Sequence, residues 1–308
     1  MTGPRGGAAL LVGAAVLWGT AGTVAALGAP GEDPASIAAV RLVGGGLVLA
    51  AAAGPATLSV GRAVVRGVAG CRVLWWAAAA ITAVVGYQVF FFEAVASVGV
   101  ARGTLVALGS APLITGVLSW VVTQRAPGWR WAGATAVAGA GLVLLVGVGG
   151  GGILSAWSAV AAGACYAVYA VGSATLIRAG LPSAGVMGLL FGGGAVILLP
   201  VLVAVPPTWV VSVPGAVAAG YLATATLAAA YLLFGLALRR IAAAQAATLS
   251  LAEPATAALL GVVVLGESLP TVGWLGIALL GIGLVAASWG GRPRVRHLVT
   301  PAADELPR

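Results

Sequence analysis

The chain has 308 residues, 61% of them hydrophobic and 7% charged, with a formal net charge of +8. Soluble domains carry roughly a quarter charged residues, so this composition is too poor in charge to cover a globule in water and suits a lipid bilayer instead. The positive balance does not describe a nucleic-acid surface either, because the arginines are spread through short loops rather than gathered on one face.

A membrane helix needs about 20 mostly apolar residues. Apolar runs between turn and charge signals predict ten of them, near 8–28, 34–54, 74–97, 101–123, 129–147, 153–175, 184–204, 214–237, 241–264 and 271–290. The expected fold class is therefore an all-α integral membrane protein with ten transmembrane helices. The first run exceeds the apolar core of a signal peptide and many similar runs follow, so it reads as a retained span. The 48 glycines suit close approach between membrane helices.

Along the chain, the second run holds Arg41, and the segment 55–73 behind it reads as a basic loop with Arg62, Arg66 and Arg72. The third carries Tyr87, Gln88, Phe90–Phe92 and Glu93, and the fourth carries Pro112. Gly147–Gly152 reads as a linker between halves; without a following Lys-Ser/Thr it is no phosphate loop. The ninth run contains Gln245, Ser250, Glu253 and Pro254. Residues 291–308 form a polar tail that includes the single histidine, His297. Cys71 lies in a basic loop and Cys165 inside a span, which gives neither a disulfide framework nor metal-ligand spacing. Tryptophans 75, 76, 129, 131, 209, 274 and 289 lie near span ends and read as interfacial anchors.

Orientation follows from the arginines. With the N-terminus inside, every arginine except Arg41 and Arg102 falls on an internal segment, while Glu32, Asp33 and Glu267 fall outside. The expected location is the cell membrane, multi-pass, with both termini cytoplasmic.

The halves also resemble each other. Pro34 and Gly44–Gly46 recur as Pro182 and Gly192–Gly194. Phe92, Pro112, Gly139 and Gly141 recur as Phe234, Pro254, Gly281 and Gly283, with a short gap absorbed in the loop that carries Arg62 and Arg66. Five spans per copy force the second copy to insert upside down, which predicts two inverted five-helix repeats at 8–147 and 153–290. Inverted repeats recur in secondary transporters.

Leu17-Trp18-Gly19-Thr20 with Ala39-Val40-Arg41-Leu42 resembles the start of an EamA-type repeat. Glu253-Pro254, Leu260-Gly261 and Leu265-Gly266-Glu267-Ser268-Leu269, followed by a Gly-rich last helix, resembles its end. Over residues 8–290 the chain is similar to the drug/metabolite transporter superfamily. The resemblance implies a bacterial inner-membrane carrier, often an exporter of amino acids and related metabolites. Two features depart from the common pattern: Gln124-Arg125 where Gly-Glu is usual, and Glu93 where an uncharged residue is usual.

Charges inside a membrane are costly and mark function or pairing. The candidates are Glu253, Glu93 and Arg41. Glu253 stands directly before Pro254, which lacks an N–H and is expected to open the helix there; Pro112 is its counterpart, with Ala111 in place of the acid. Glu93 sits near the external end of its span, where it could meet substrate or pair with Arg102. Arg41 could bind a carboxylate bidentately or neutralise either acid, and the resemblance favours a pairing role. Burial without a counter-ion disfavours the charged form of a carboxylate, so proton coupling through Glu253 is the expectation. Gln88, Tyr87, Trp18, Gln245 and Ser250 complete the candidate substrate and proton site, and Pro112 and Pro254 are the expected helix breaks.

No enzyme signature is present. The expected function is a secondary transporter exporting small organic metabolites by alternating access; a multidrug efflux carrier or a non-transporting scaffold are the alternatives. No cofactor, metal or nucleic acid is expected, only a small-molecule substrate and surrounding lipid. The oligomeric state is not legible.

Overall fold

A helix of 18 residues rises about 27 Å, close to the hydrocarbon thickness of a bilayer. Ten helices of the computed structural model are long and apolar enough to cross one. The structure describes residues 3–66, 70–98, 100–147, 157–204 and 206–289, all of them in helices or short connections. The tail from 291, the linker from 148 and the side chain of Arg102 lie outside the described residues.

In chain order the helices are α1 (Pro4–Gly19), α2 (Ala21–Gly28), α3 (Pro34–Val65), α4 (Cys71–Val98), α5 (Val100–Thr123), α6 (Trp129–Val146), α7 (Trp157–Arg178) and α8 (Ser183–Ala204). A short 3-10 turn at Thr208–Val211 leads to α9 (Val213–Ala223), a π-helical turn (Thr224–Ala229) and α10 (Ala230–Leu238). The chain ends with α11 (Ala243–Leu249), α12 (Ala252–Leu265) and α13 (Thr271–Ser288). The first span is α1 with α2, the eighth is α9 to α10, and the ninth is α11 with α12.

Local chemistry explains the ends. Asp33 accepts from the Ala35 amide at 3.1 Å and Pro34 occupies the first helical position of α3, an N-cap with a pre-set φ. Ser212 does the same for α9, accepting from Gly215 N. Gly266 closes α12 in the left-handed region (φ 71°), and the Glu267 amide returns to the Gly261 carbonyl at 3.0 Å.

The segment 55–73, expected as a loop, is helical as far as Val65. Gly54 takes φ +41°, which only glycine does at no cost, and Pro55 follows it where the chain starts a new helical run. The carbonyl of Ala50, freed by this kink, accepts from the Thr57 hydroxyl at 3.1 Å.

Helix pairing has a regular form. Numbering the spans one to ten, the largest interfaces join two with seven, three with six, five with ten, four with six, one with eight and nine, and two with eight. Replacing each span by the one five places away returns the same pairs for all but the last, since three meets seven over a smaller interface than two meets eight. Two of these interfaces join a span to its own counterpart, and glycines let their backbones meet. In the two–seven pair, a Cβ at Gly46 would collide with the Phe191 carbonyl and one at Gly185 with the Ala56 carbonyl. In the five–ten pair, Gly141 and Gly276 face each other's main chain, and Gly283 faces Ala138.

Not every terminal tryptophan is an anchor. Trp75, Trp129, Trp274 and Trp289 are exposed, but Trp76 and Trp209 are buried. Trp209 Nε1 donates to Ser36 Oγ, and Trp131 Nε1 to the Ala244 carbonyl at 2.9 Å. These rings hold helices together because their indole N–H groups find partners inside the protein.

Candidate functional site

Three irregular stretches, in spans one, eight and nine, converge. The first span breaks at Thr20, whose hydroxyl donates to the Leu17 carbonyl at 2.7 Å and meets the Tyr221 hydroxyl at 3.1 Å. The ninth breaks at Ser250 and Leu251, between α11 and α12. The two breaks abut: a Cβ at Gly19 would lie 2.7 Å from the Glu253 carbonyl. The eighth span is wound into its π-helical turn at Thr224–Ala229. Broken or rewound helices inside a membrane are tolerated where the protein re-satisfies the freed backbone, and π turns occur often at functional sites.

Pro254 is responsible for part of this. The expected opening is found three residues earlier than the proline, since Pro254 lies within the first turn of α12, where a missing N–H costs nothing. Glu253 shares that first turn and is half-buried; a carboxylate at a helix N-terminus is electrostatically favoured. Pro112 does not break its helix: α5 runs through it without interruption. Loss of a single backbone bond is tolerable in a helix buttressed on several sides, and α5 packs on α4, α6, α7 and α11.

Arg41 projects from α3 to the π turn. Its Nε donates to Thr226 Oγ1 at 3.0 Å and its Nη2 to the Thr226 carbonyl at 3.1 Å. Among the described residues it makes no ion-pair contact with either Glu253 or Glu93. Arg41 and Glu253 nonetheless lie within electrostatic reach of each other and of Tyr87 and Tyr231. A guanidinium has five N–H donors, so Thr226 leaves several free.

Aromatic rings fill the space around these charges. Trp18 packs on Tyr231 (5.0 Å between centroids) and on Phe234 (5.8 Å). Tyr87 lies against Tyr166 and Tyr169 at 6.5 and 6.3 Å, and stacks on Phe91 at 5.7 Å. Phe191 closes on Tyr231 at 3.8 Å, and the Tyr169 and Tyr231 hydroxyls are 3.4 Å apart. The buried Tyr166 hydroxyl faces Ser250 at the break. One donor in this cluster, Trp18 Nε1, is buried without a hydrogen-bond partner. Such groups are rare in proteins and call for an explanation.

The structure thus gathers Trp18, Arg41, Tyr87 and Glu253, with Ser250 buried at the break and donating to the Ala247 carbonyl at 2.8 Å. Gln245 is buried but committed elsewhere, its Nε2 donating to the Ala287 carbonyl of α13 at 2.7 Å. Gln88 is half-buried and, one residue on from Tyr87, is turned about 100° away from it. Glu93 is exposed and lies beyond the apolar stretch that ends at Phe91; its expected pairing with Arg102 falls outside the described residues. Sequence reasoning missed Thr226, Phe191 and Tyr231. One signal pointed to Tyr231: the chain has five tyrosines, all within apolar spans, and four of them form the cluster while Tyr221 bonds to Thr20 beside it.

A crevice of about 300 Å³ opens between the start of α6 and the end of α13, lined by Trp129, Arg130, Trp131, Gln245 and Ala287 among others. Among the described residues there is no group of three or more His, Cys, Asp or Glu side chains placed to hold a metal ion.

Comparison with known proteins gives a consistent result. The model of the EamA-like transporter family matches twice, at residues 5–147 and 153–289. The chain is 37% identical over 282 residues to the uncharacterized transporter YwfM of Bacillus subtilis (strain 168), covering 89% of this chain and 91% of that protein. A protein known from its crystal structure superposes with a TM-score of 0.73 at 21% identity, covering 91% of this chain and 96% of that one.

Proposed function

The chain belongs to the EamA-like transporter family and is a multi-pass membrane transporter, and we propose that it is a proton-coupled secondary carrier for a small metabolite bearing both an amine and a carboxylate, an amino acid or close relative. The observation that carries this reading is the pair of opposite, unbridged charges, Arg41 and Glu253, set into one aromatic cluster. A guanidinium with free donors suits a carboxylate. A carboxylate among aromatic faces suits an ammonium, through charge pairing and cation–π attraction. The unpartnered Trp18 donor supplies a further contact for a polar ligand. A purely apolar drug would use neither charge, and a scaffold would need none of these groups.

Glu253 is the proton carrier in this reading. When no amine faces it, the half-buried acid has no ion-pair partner among the described residues, because Arg41 is committed to Thr226, and a proton takes the amine's place in neutralising it. Exchange of proton for substrate at one position couples the two movements. The outward direction is part of this proposal and rests on the family resemblance alone. The exchange symmetry of the span contacts supports two inverted repeats, 8–147 and 153–290, which alternate between inward-open and outward-open forms. The arginine distribution supports cytoplasmic termini in the cell membrane.

The test is uptake of a labelled amino-acid and metabolite panel into proteoliposomes, with and without an imposed pH gradient, for wild type and Glu253→Gln. Gradient-driven accumulation in wild type, with only downhill flux in the variant, is the expected outcome. A variant that retains full gradient-driven accumulation removes Glu253 from the coupling.

A further inference from the structure

Among the described residues Arg41 is held by Thr226 alone, and Thr226 stands in the one rewound stretch of the described helices. Thr226 uses both of its oxygens on the guanidinium: Oγ1 receives Nε and the main-chain oxygen receives Nη2. Its hydroxyl proton is occupied as well, going to the Leu222 carbonyl at 2.7 Å. The hydroxyl is therefore oriented as an acceptor toward Arg41 and has no freedom to turn away. Thr226 itself is fully buried.

The backbone makes this possible. In an α-helix a buried carbonyl is normally consumed by the amide four residues on; a π turn shifts that register and loosens the ladder locally. Residues 224–229 have this form. Across from it, α3 offers Gly44 and Gly45. A Cβ at Gly45 would lie 2.6 Å from the Leu227 Cβ and 2.7 Å from the Ala223 carbonyl, so the two spans meet backbone to backbone one turn of α3 beyond Arg41. Close approach at glycine lets a long arginine reach main-chain and side-chain oxygens of the same residue.

We infer that Thr226, presented by the π-helical turn of span eight, is the positioning residue that fixes the Arg41 guanidinium with its remaining donors toward the aromatic cluster, and so sets selectivity for a carboxylate on the transported molecule. This rests on the substrate reading given above. Arg41 comes from span two and Thr226 from span eight, so the carboxylate-selective element spans both halves of the chain.

The test uses L-phenylalanine and 2-phenylethylamine, which differ only by the carboxylate, as labelled probes in proteoliposomes containing wild type, Thr226→Val or Thr226→Ser. Thr226→Val should raise KM for phenylalanine about tenfold, the worth of a hydrogen bond to a charged group, with little change in maximal rate. KM for phenylethylamine should stay within twofold, and Thr226→Ser should restore wild-type behaviour. Equal loss for both probes in Thr226→Val, or no loss for either, overturns the inference. A substrate-independent arm separates this inference from the substrate reading. Thermal unfolding of the purified protein is measured for Thr226→Val, Arg41→Met and the double variant. If wild type moves neither probe, the substrate reading fails and this cycle decides alone: non-additive losses support the Arg41–Thr226 coupling, and additive losses refute it.

Discussion

Gly139 and Gly141 sit two residues apart on α6, and the structure assigns them opposite sensitivities. An ideal Cβ at Gly141 would lie 2.5 Å from the Leu280 nitrogen, 2.7 Å from the Gly276 oxygen and 3.0 Å from the Leu279 carbonyl carbon, all main-chain atoms of α13. Ordinary contact begins near 3.4 Å, so Gly141→Ala drives the two helices apart by about 0.9 Å, the shortfall of 2.5 Å against 3.4 Å. A gap of that size forfeits a quarter to a half of the contact energy along the seam, and overpacking of this kind costs about 1–3 kcal/mol. At Gly139 nothing lies within 4 Å of the added carbon. Helix propensity rises by the same amount in both substitutions and cancels in their comparison, leaving the steric cost as the difference. Thermal unfolding of the purified variants in one detergent measures it. Gly141→Ala should melt several degrees below Gly139→Ala, and the counterpart pair should repeat the pattern, since Gly283 faces Ala138 and Gly281 faces open space. If Gly139→Ala and Gly141→Ala melt together, the backbone-to-backbone description of the five–ten interface is wrong.

Other residues give sharper contrasts between stability and transport. Gln245→Leu orphans the Ala287 carbonyl and should lower stability by about 1–3 kcal/mol while leaving KM unchanged in the uptake assay. Glu93→Gln, at an exposed position, should retain pH-driven accumulation; loss of coupling in this variant would move the proposed proton carrier from α12 to α4.

The ten spans were legible because hydropathy over 18 or more residues is a long, redundant signal. The shape of the spans was not. Gly54-Pro55 reads as a stop, and a single glycine at φ +41° instead turns the second helix and lets it continue to Val65. Thr224–Ala229 is an unremarkable apolar string, and nothing in its residue types marks a π turn; the rewinding answers to packing against Gly44 and Gly45 of another span. Arg41 and Glu253 could be singled out because charge is scarce in such a chain. What holds Arg41 could not, because Thr226 lies 185 residues away and threonine is common. Pro254 pointed to the right stretch of span nine but not to the right residues, since a proline is most comfortable just after a break rather than at one. Pro112, reading the same way, lies in an uninterrupted helix, so proline alone does not decide where a membrane helix opens.

The exchange pattern of the span contacts bears on how such a site can arise. If the two halves were separate identical chains, the contacts of spans two with seven and five with ten would form an isologous interface, and every group in the central site would appear twice. Joined in one chain, equivalent positions are free to diverge. Arg41 has Leu189 as its counterpart at the repeat spacing of the second span, and Glu253 has Ala111. The proposed site, with one cation and one anion, has a direction and would orient a small dipolar molecule in one way only; a two-fold symmetric site would accept it equally well reversed. Duplication supplied the symmetric frame, and loss of symmetry at four positions gave that frame a polarity.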